Sequence, residues 1–300
     1  MGNVIFAVLR YALVALTGHG YDRSVRVNTL HHKLSYRLHK LLPKFGIVGL
    51  QRIDIPGLKG KHMYVRAEDG GVAHQLIMYC QYEPYESSLI REVLKPGMTV
   101  YDIGANLGYY VLLASECVGS TGKVFAFEPA PENLELLRRT VSENTTTNVT
   151  IHACAVGAND GEASLAISPT NSGDHQLREA ADRAKVAVPV RSTDSLIAEG
   201  LPTADVVIMD VQGSELDAIR GMNSLLGTGS PKVIFTEFWQ KGLNDRHPNG
   251  AREFLEVLTS VGFQLAIIDE KRKRVRPTTP DALLNETLGN EERNLLCTRA

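Results

Sequence analysis

From about residue 81 onward the sequence alternates between short apolar runs and longer amphipathic segments, and this alternation constrains the fold more than any other feature. Strands that alternate with helices of ten or more residues imply a parallel sheet covered on both faces. The predicted strands are 98–103, 123–128, 149–155, 204–210, 232–237, 262–269 and a last one near the C-terminus; the predicted helices are 107–117, 131–144, 214–225 and 250–261. The pattern therefore predicts an α/β fold with a seven-stranded, mostly parallel sheet. The last two strands are expected to pair antiparallel at one edge.

Two segments do not fit the alternating pattern. Residues 1–45 are predicted to be helical and basic, and residues 46–80 to form short strands with turns. Further along the chain, "EASLAIS" and "KVAVPVRS" are predicted strands on either side of a polar loop. We interpret residues 156–203 as an insertion between the third and fourth parallel strands. The chain is therefore divided into an N-terminal helical and short-strand appendage, 1–80, and a larger domain, 81–300.

The appendage differs from the rest of the chain in charge. Residues 1–61 carry ten Lys or Arg against two acidic residues, a charge of +8, whereas the whole chain has a net charge of −2. The first 17 residues are apolar but are interrupted by Arg10, and they are shorter than the roughly 20 residues of a membrane-spanning helix. They are predicted to form an amphipathic helix that packs on the domain or lies on a membrane. A solvated helical face and a peripheral contact with an anionic surface through residues 1–45 are both consistent with this pattern.

The four cysteines, Cys80, Cys117, Cys154 and Cys297, are scattered in apolar surroundings without metal-binding or redox spacing. We expect buried, reduced thiols, no bound metal and a cytoplasmic location. The sequence gives no indication of the oligomeric state.

The first strand of the alternating region runs into an unusual turn, in the stretch "VYDIGANLGYY". It places Asp102, Gly104, Asn106 and Gly108 where the strand passes into a helix. Glycine lets the backbone approach a ligand closely, and ligands of such sheets bind beyond the carboxyl ends of the strands. The GxGxxG pattern of dinucleotide-binding turns is absent. The turn therefore indicates a ligand site, although a tight turn alone would also use glycine.

An acidic residue ends the second strand, "KVFAFEP", at Glu128. A carboxylate in this position can accept hydrogen bonds from both hydroxyls of a ribose. A nucleoside without a diphosphate, held by a turn that carries an Asp, suggests S-adenosylmethionine as the cofactor.

Three stretches in order carry a more specific resemblance: "YEPYESSLIREVLKPGMTVYDIGANLGYY", "VFAFEPAPENLELL" and "DVVIMDVQGSELDAIRGM". Over residues 80–265 the chain resembles FkbM-type methyltransferases, a branch of the class I S-adenosylmethionine-dependent superfamily. The resemblance implies a Rossmann-like fold and methyl transfer to a hydroxyl of a saccharide, glycolipid or secondary metabolite. It also implies that Asp102, Gly104, Asn106 and Gly108 bind the cofactor near its methionine end. Glu128 would take the ribose.

The resemblance also places a third motif, with Asp210, Gln212, Gly213 and Glu215, beside the reacting centre. The chain departs from the family pattern at two positions of this motif. The family often has Lys where this chain has Ile208, and Glu where it has Gln212. A mechanism that requires the Lys is therefore in doubt.

Transfer to an unactivated hydroxyl requires a base near the methyl group. The fourth and fifth strands end in Asp210 and Glu237, and "NSGDHQL" in the insertion carries His175. We predict Asp210 as the essential base, with Glu237 and His175 orienting the hydroxyl. The positive sulfonium is expected to lower the pKa of Asp210.

Other functions stay open. Metal-assisted O-methylation could use Asp210 and His175, together with Asp174 and Glu237. A catalytically inactive scaffold with a cofactor fold is a second alternative. Methylation of nucleic-acid amino groups is disfavoured because "DVQG" differs from the D/N-P-P-Y/F/W motif that usually accompanies it. A small-molecule or glycan acceptor is expected, and no nucleic-acid partner.

Overall fold

A computed structural model describes residues 34–177, 183–288 and 290–300. The predicted amphipathic helix at the start of the chain lies outside these residues. The strands, in chain order, are β1 Leu50–Asp54, β2 His62–Arg66, β3 Thr99–Ile103, β4 Lys123–Phe127, β5 Val149–His152, β6 Ala155–Val156, β7 Gly161–Ile167, β8 Ala184–Arg191, β9 Val206–Met209, β10 Val233–Trp239, β11 Gln264–Asp269, β12 Arg274–Thr278 and β13 Glu292–Thr298.

The helices lie mainly between these strands. They are α1 Val72–Tyr79, α2 Pro84–Val93, α3 Tyr109–Val118, α4 Pro131–Glu143, α5 Thr193–Ala198, α6 Glu215–Arg220, α7 Asn223–Gly227, α8 Gln240–Arg246, α9 Gly250–Ser260 and α10 Pro280–Glu286. Residues 34–39 are also helical, and Leu42–Phe45 form a 3-10 turn. None of the helices in the described part of the chain is both long and apolar enough to cross a membrane.

The central sheet has eight strands in the order β12-β11-β13-β10-β9-β3-β4-β5. The five strands from β10 to β5 are parallel, and β13, β11 and β12 pair antiparallel at one edge. The predicted mostly parallel α/β fold is confirmed, but the predicted count of seven strands is wrong. The additional strand, β12, contains part of the basic run after residue 270 and pairs with β11 at the exposed edge.

Two apolar layers cover the two faces of the sheet. Alternate residues of a strand point to opposite faces, so Val100 of β3 belongs to one core cluster and Tyr101 to the other. The first cluster also contains Met63 of β2 and Leu76 of α1. The hairpin of β1 and β2 and the helix α1 are therefore packed into the same core as α3.

The insertion forms a small sheet of its own. β7 and β8 pair antiparallel, with Gly161 opposite Val190 and Ile167 opposite Ala184, and the short β6 pairs parallel with β8. Residues 168–177 connect this sheet back toward the carboxyl ends of β3 and β4. One predicted helix is divided, since residues 214–225 form α6 and α7 with a break at Gly221 and Met222.

Candidate active site

The turn after β3 brings its backbone close to the neighbouring strand β9. Gly104 and Gly108 have φ values of +86° and +94°, in the region that favours glycine. A Cβ atom at residue 104 would lie 1.9 Å from the carbonyl oxygen of Asp210. Gly104 therefore allows the turn and the end of β9 to meet, which places the first and third sequence motifs side by side.

Glu128 closes the other side of this turn. It is 4% exposed, and its carboxylate accepts hydrogen bonds from the backbone N–H groups of Asn106 at 2.7 Å and Ala130 at 2.8 Å. Burial raises the pKa of Glu128 to about 7. Two acceptor oxygens have further lone-pair positions, so the carboxylate can still accept hydrogen bonds from a ligand.

A pocket opens between these elements, beyond the carboxyl ends of β3, β4 and β9. Its polar lining includes Gly104, Asn106, Glu128, His175 and Asp210. The apolar part of the wall consists of Phe127, Pro129, Ala155, Val156, Leu165, Val211 and Leu177. The pocket thus joins a carboxylate suited to a ribose with an apolar surface suited to a flat aromatic base.

Two of the predicted cofactor residues, Asp102 and Gly108, are not among the residues that line the pocket. Asp102 is 2% exposed, and its Oδ2 has no hydrogen-bond partner among the described residues. Burial, with the nearby charges of Glu128 and Asp210, raises the pKa of Asp102 to about 8. Asp102 belongs to β3, before the turn, and Gly108 is the residue that precedes α3.

The insertion loop covers the turn through a chain of hydrogen bonds that the sequence did not reveal. The carbonyl oxygen of Ser172 accepts from Asn106 Nδ2 at 2.9 Å and from Asn133 Nδ2 at 3.0 Å. The backbone N–H of Ser172 donates to Asp69 Oδ1 at 3.0 Å, and its hydroxyl donates to the other oxygen of Asp69. The appendage, the insertion and the turn after β3 therefore meet at Ser172.

His175 stands in this loop and lines the same pocket as Asp210. Its Nδ1 accepts a hydrogen bond from the backbone N–H of Ser168 at 3.0 Å. Burial lowers the pKa of His175, which favours the neutral ring. The neighbouring Asp174 forms an ion pair with Arg183 at 2.7 Å, so its carboxylate is already occupied.

Asp210 and Glu237 are linked by Gln212, which adopts a left-handed conformation with φ of +51°. The Gln212 Nε2 group donates to Asp210 Oδ1 and to Glu237 Oε2, at 2.7 Å each. Burial raises the pKa of both carboxyl groups, and the charge of Asp210 raises that of Glu237 further. The lowering of the Asp210 pKa that is expected beside the positive sulfonium stays a prediction.

A third carboxylate lies beside this pair. One oxygen each of Asp210, Glu215 and Glu237 lies within 4.8 Å of the others. The metal site considered from the sequence combined Asp210 and Glu237 with Asp174 and His175. In the described residues, the third carboxylate beside Asp210 and Glu237 is that of Glu215. Glu215 belongs to the third motif but carried no predicted role of its own.

Comparison with known proteins places this geometry in a family. The model of the methyltransferase FkbM domain matches residues 102–265, more than half of the chain. A hexuronic acid methyltransferase, AglP of Haloferax volcanii, is 28% identical over 141 residues, which are 46% of this chain and 55% of that protein. Methyltransferase 1 of Beauveria bassiana is 24% identical over 146 residues, 41% of this chain and 58% of that protein. The matched regions thus span little more than half the length of these relatives.

A solved structure of similar fold is that of an FkbM methyltransferase from Methylobacillus flagellatus. It is 17% identical with a TM-score of 0.42, and the alignment covers 75% of this chain and 52% of that chain.

Proposed function

Because the chain belongs to the FkbM methyltransferase family, we propose that it transfers the methyl group of S-adenosylmethionine to a hydroxyl oxygen. The observation that carries this proposal is that Glu128 and Asp210 line one pocket. The first can bind the ribose of the cofactor, and the second can take the proton of the acceptor. A pocket lined by these two carboxylates is suited to bind an activated methyl donor together with an alcohol.

In the proposed cofactor pose, the ribose hydroxyls donate to Glu128 and the adenine lies against Ala155, Val156 and Leu165. The methionine end follows the turn at Gly104 and Asn106 toward Asp210. The insertion loop at Ser172 and His175 covers the cofactor and excludes water. Holding the donor in this way supplies much of the catalytic effect through positioning.

In the proposed reaction, the acceptor oxygen attacks the methyl carbon in line with the sulfur–carbon bond. A carbon–oxygen bond forms, and the electron pair of the broken sulfur–carbon bond stays on sulfur, which gives S-adenosylhomocysteine. The hydroxyl proton passes to Asp210. Glu237 and His175 orient the acceptor hydroxyl.

For the acceptor we propose a saccharide, a glycolipid or a secondary metabolite. The similarity to a hexuronic acid methyltransferase supports a sugar within this group.

We further propose that residues 1–45, with the excess of basic residues at the start of the chain, contact an anionic membrane surface and bring the protein near a membrane-linked acceptor. Salt-sensitive flotation with anionic liposomes by the full chain, compared with neutral liposomes, tests this contact.

The methyl transfer is tested by two measurements. Isothermal titration should show that S-adenosylmethionine binds one to one, and S-adenosylhomocysteine should compete for the same site. Incubation with methyl-labelled cofactor and a panel of free and lipid-linked sugars should give a labelled product whose methyl group is on oxygen. Binding without any transfer across the panel would favour a catalytically inactive scaffold, an alternative that the departures at Ile208 and Gln212 suggest. No cofactor binding would overturn the proposal.

A further inference from the structure

Three carboxylates converge beside the end of β9: one from the residue after β9, one from β10 and one from the start of α6. One oxygen each of Asp210, Glu215 and Glu237 lies within 4.8 Å of the others. Glu215 is fully buried, and its Oε1 accepts from the backbone N–H groups of Val211 and Gly213 at 3.2 Å. Its Oε2 has no hydrogen-bond partner in the described part of the chain. A buried carboxylate oxygen without a partner is costly unless something else binds it.

The basic side chains near α6 do not neutralise this group. Arg220 pairs with Glu253 at 2.5 Å, and Arg246 pairs with Asp217. Gln212 offers an amide N–H to Asp210 and Glu237, but an amide carries no net charge. Three carboxylates in a small volume repel one another strongly when no cation is present. The charge balance therefore calls for a positive ion.

The cofactor itself meets only part of this demand. Its sulfonium and its amino group carry single charges, and the amino group needs one or two acceptors. We propose that Asp210, Glu215 and Glu237 bind a divalent cation, Mg²⁺ or Mn²⁺, beside the methyl group. Oxygen ligands alone favour such hard ions. Opposite oxygens around Mg²⁺ are about 4.2 Å apart, so small shifts of the side chains close the observed group around an ion.

This inference rests on the proposed function and deepens it, since the cation would coordinate the acceptor oxygen. Three carboxylate oxygens leave positions of an octahedral shell free for water and for the acceptor hydroxyl. Rotation of the Gln212 amide presents its oxygen as a neutral fourth ligand. A coordinated hydroxyl loses its proton more easily. The second oxygen of Asp210 stays available to accept that proton.

Manganese binding to the full chain tests the site without any assay of activity. After treatment with EDTA and desalting, the protein is titrated with MnCl₂, and free Mn²⁺ is followed by electron paramagnetic resonance. We expect one Mn²⁺ per chain, displaced by excess Mg²⁺. Glu215→Gln and Glu237→Gln should each weaken binding at least tenfold. The control is Glu86→Gln, because Glu86 is a buried carboxyl outside the group, hydrogen-bonded by Asn294; it should bind within threefold of the wild type.

Wild-type protein that binds no Mn²⁺ at 1 mM, or equal binding by wild type and both variants, overturns the site. Should Glu215→Gln fail to fold, as judged by its circular dichroism and melting curve, Glu237→Gln decides the test. Failure of the cation and failure of the function are separable. If the metal-free protein transfers the methyl group and binds no Mn²⁺ in the titration, the proposed methyl transfer stands and the cation site is ruled out. If Mn²⁺ binds and the variants weaken it, but no acceptor is methylated, the cation site stands and the proposed function is ruled out.

Discussion

Gly104 and Asp210 are so close that a Cβ atom at residue 104 would lie 1.9 Å from the carbonyl oxygen of residue 210. Gly104 directly follows β3, the first strand of the alternating region, and Asp210 directly follows β9, the fourth parallel strand in chain order. The two strands are neighbours in the sheet, with Ile103 opposite Met209. The glycine is therefore required by the contact between a turn that lines the pocket and the carboxylate proposed as base.

Gly104→Ala should destabilise the protein and remove cofactor binding. A side chain here meets backbone, which cannot move as a flexible side chain can, and φ is +86°. Overpacking and left-handed strain together predict a loss of about 2–5 kcal/mol in the free energy of unfolding. Gly262→Ala is the matched control, since Gly262 has φ of +92° and no atom within 4 Å of its Cβ position. Its loss should be about 1–2 kcal/mol. Urea unfolding of both variants measures the difference, and equal losses would contradict the contact.

The parallel part of the fold could be predicted because its strands are apolar runs bounded by clear turns. β12 was missed because it is an edge strand of charged residues and a proline, "RVRPT", with little burial. The short helix α8 was missed as well. Its seven residues, "QKGLNDR", include Gly242 and Asn244 and show no clear helical pattern.

Local sequence predicted the positions of those candidate site residues that directly follow strands. Gly104, Asn106, Glu128 and Asp210 follow strands of a regular sheet, so their positions at one edge could be inferred. The contact of Asp69 with Ser172 joins residues 103 apart, and that of Asn106 with Ser172 joins residues 66 apart. Such contacts depend on how the appendage and the insertion pack, which no local pattern specifies. The role of Glu215 was missed because its burial depends on the same packing.

Glu128→Gln should weaken binding of S-adenosylmethionine about tenfold, because hydrogen bonds to a charged acceptor contribute about 1.5–3 kcal/mol each. Glutamine is preferable to alanine, since Glu128 also accepts from the backbone of Asn106 and Ala130. Glu135→Gln on α4 is the control, because its side chain is 71% exposed. Isothermal titration compares the three proteins. Unchanged affinity in Glu128→Gln would remove this residue from the ribose site.

The affinity for S-adenosylmethionine should rise with pH between 6 and 8. Burial raises the pKa of Glu128 to about 7, so the carboxyl is mostly protonated at pH 6 and mostly ionised at pH 8. The ionised form accepts both ribose hydroxyls, and the affinity should therefore increase by roughly tenfold over this interval. Titrations at pH 6, 7 and 8 measure the slope. In Glu128→Gln only the slope due to other groups, including the cofactor's own amino group, should remain; an identical slope would assign the effect elsewhere.

Asp69→Ala should loosen the insertion loop over the cofactor. The Asp69 carboxylate accepts from the backbone and the hydroxyl of Ser172, and Ser172 in turn accepts from Asn106. Loss of these contacts should raise the dissociation rate of S-adenosylmethionine by about three- to tenfold, since a hydrogen bond to a charged group contributes about 1.5–3 kcal/mol and the loop keeps other contacts. Stopped-flow displacement by S-adenosylhomocysteine measures the rate. Glu68→Ala is the neighbouring control, because the Glu68 carboxylate accepts a hydrogen bond from the backbone N–H of Gly49 and not from Ser172. Equal rates in both variants would show that the loop is held by other contacts.

Asp210→Asn should cut methyl transfer by about a hundredfold or more while leaving the affinity for S-adenosylmethionine within a few-fold. The amide keeps the size of the side chain and an oxygen, but it can neither take a proton nor supply a charge. Glu237→Gln should cost less turnover, because Glu237 is proposed to orient the hydroxyl and to be one of three cation ligands, but not to take the proton. Asp205→Asn provides the control at the opposite end of β9, where Asp205 accepts from the backbone N–H of Thr99 far from the pocket lining; it should keep wild-type turnover. Single-turnover transfer from labelled cofactor separates the chemical step from binding. Should Asp210→Asn turn over normally while His175→Ala is inactive, the base lies in the insertion loop. In that case the carboxylates at the ends of β9 and β10 act on the cofactor rather than on the acceptor.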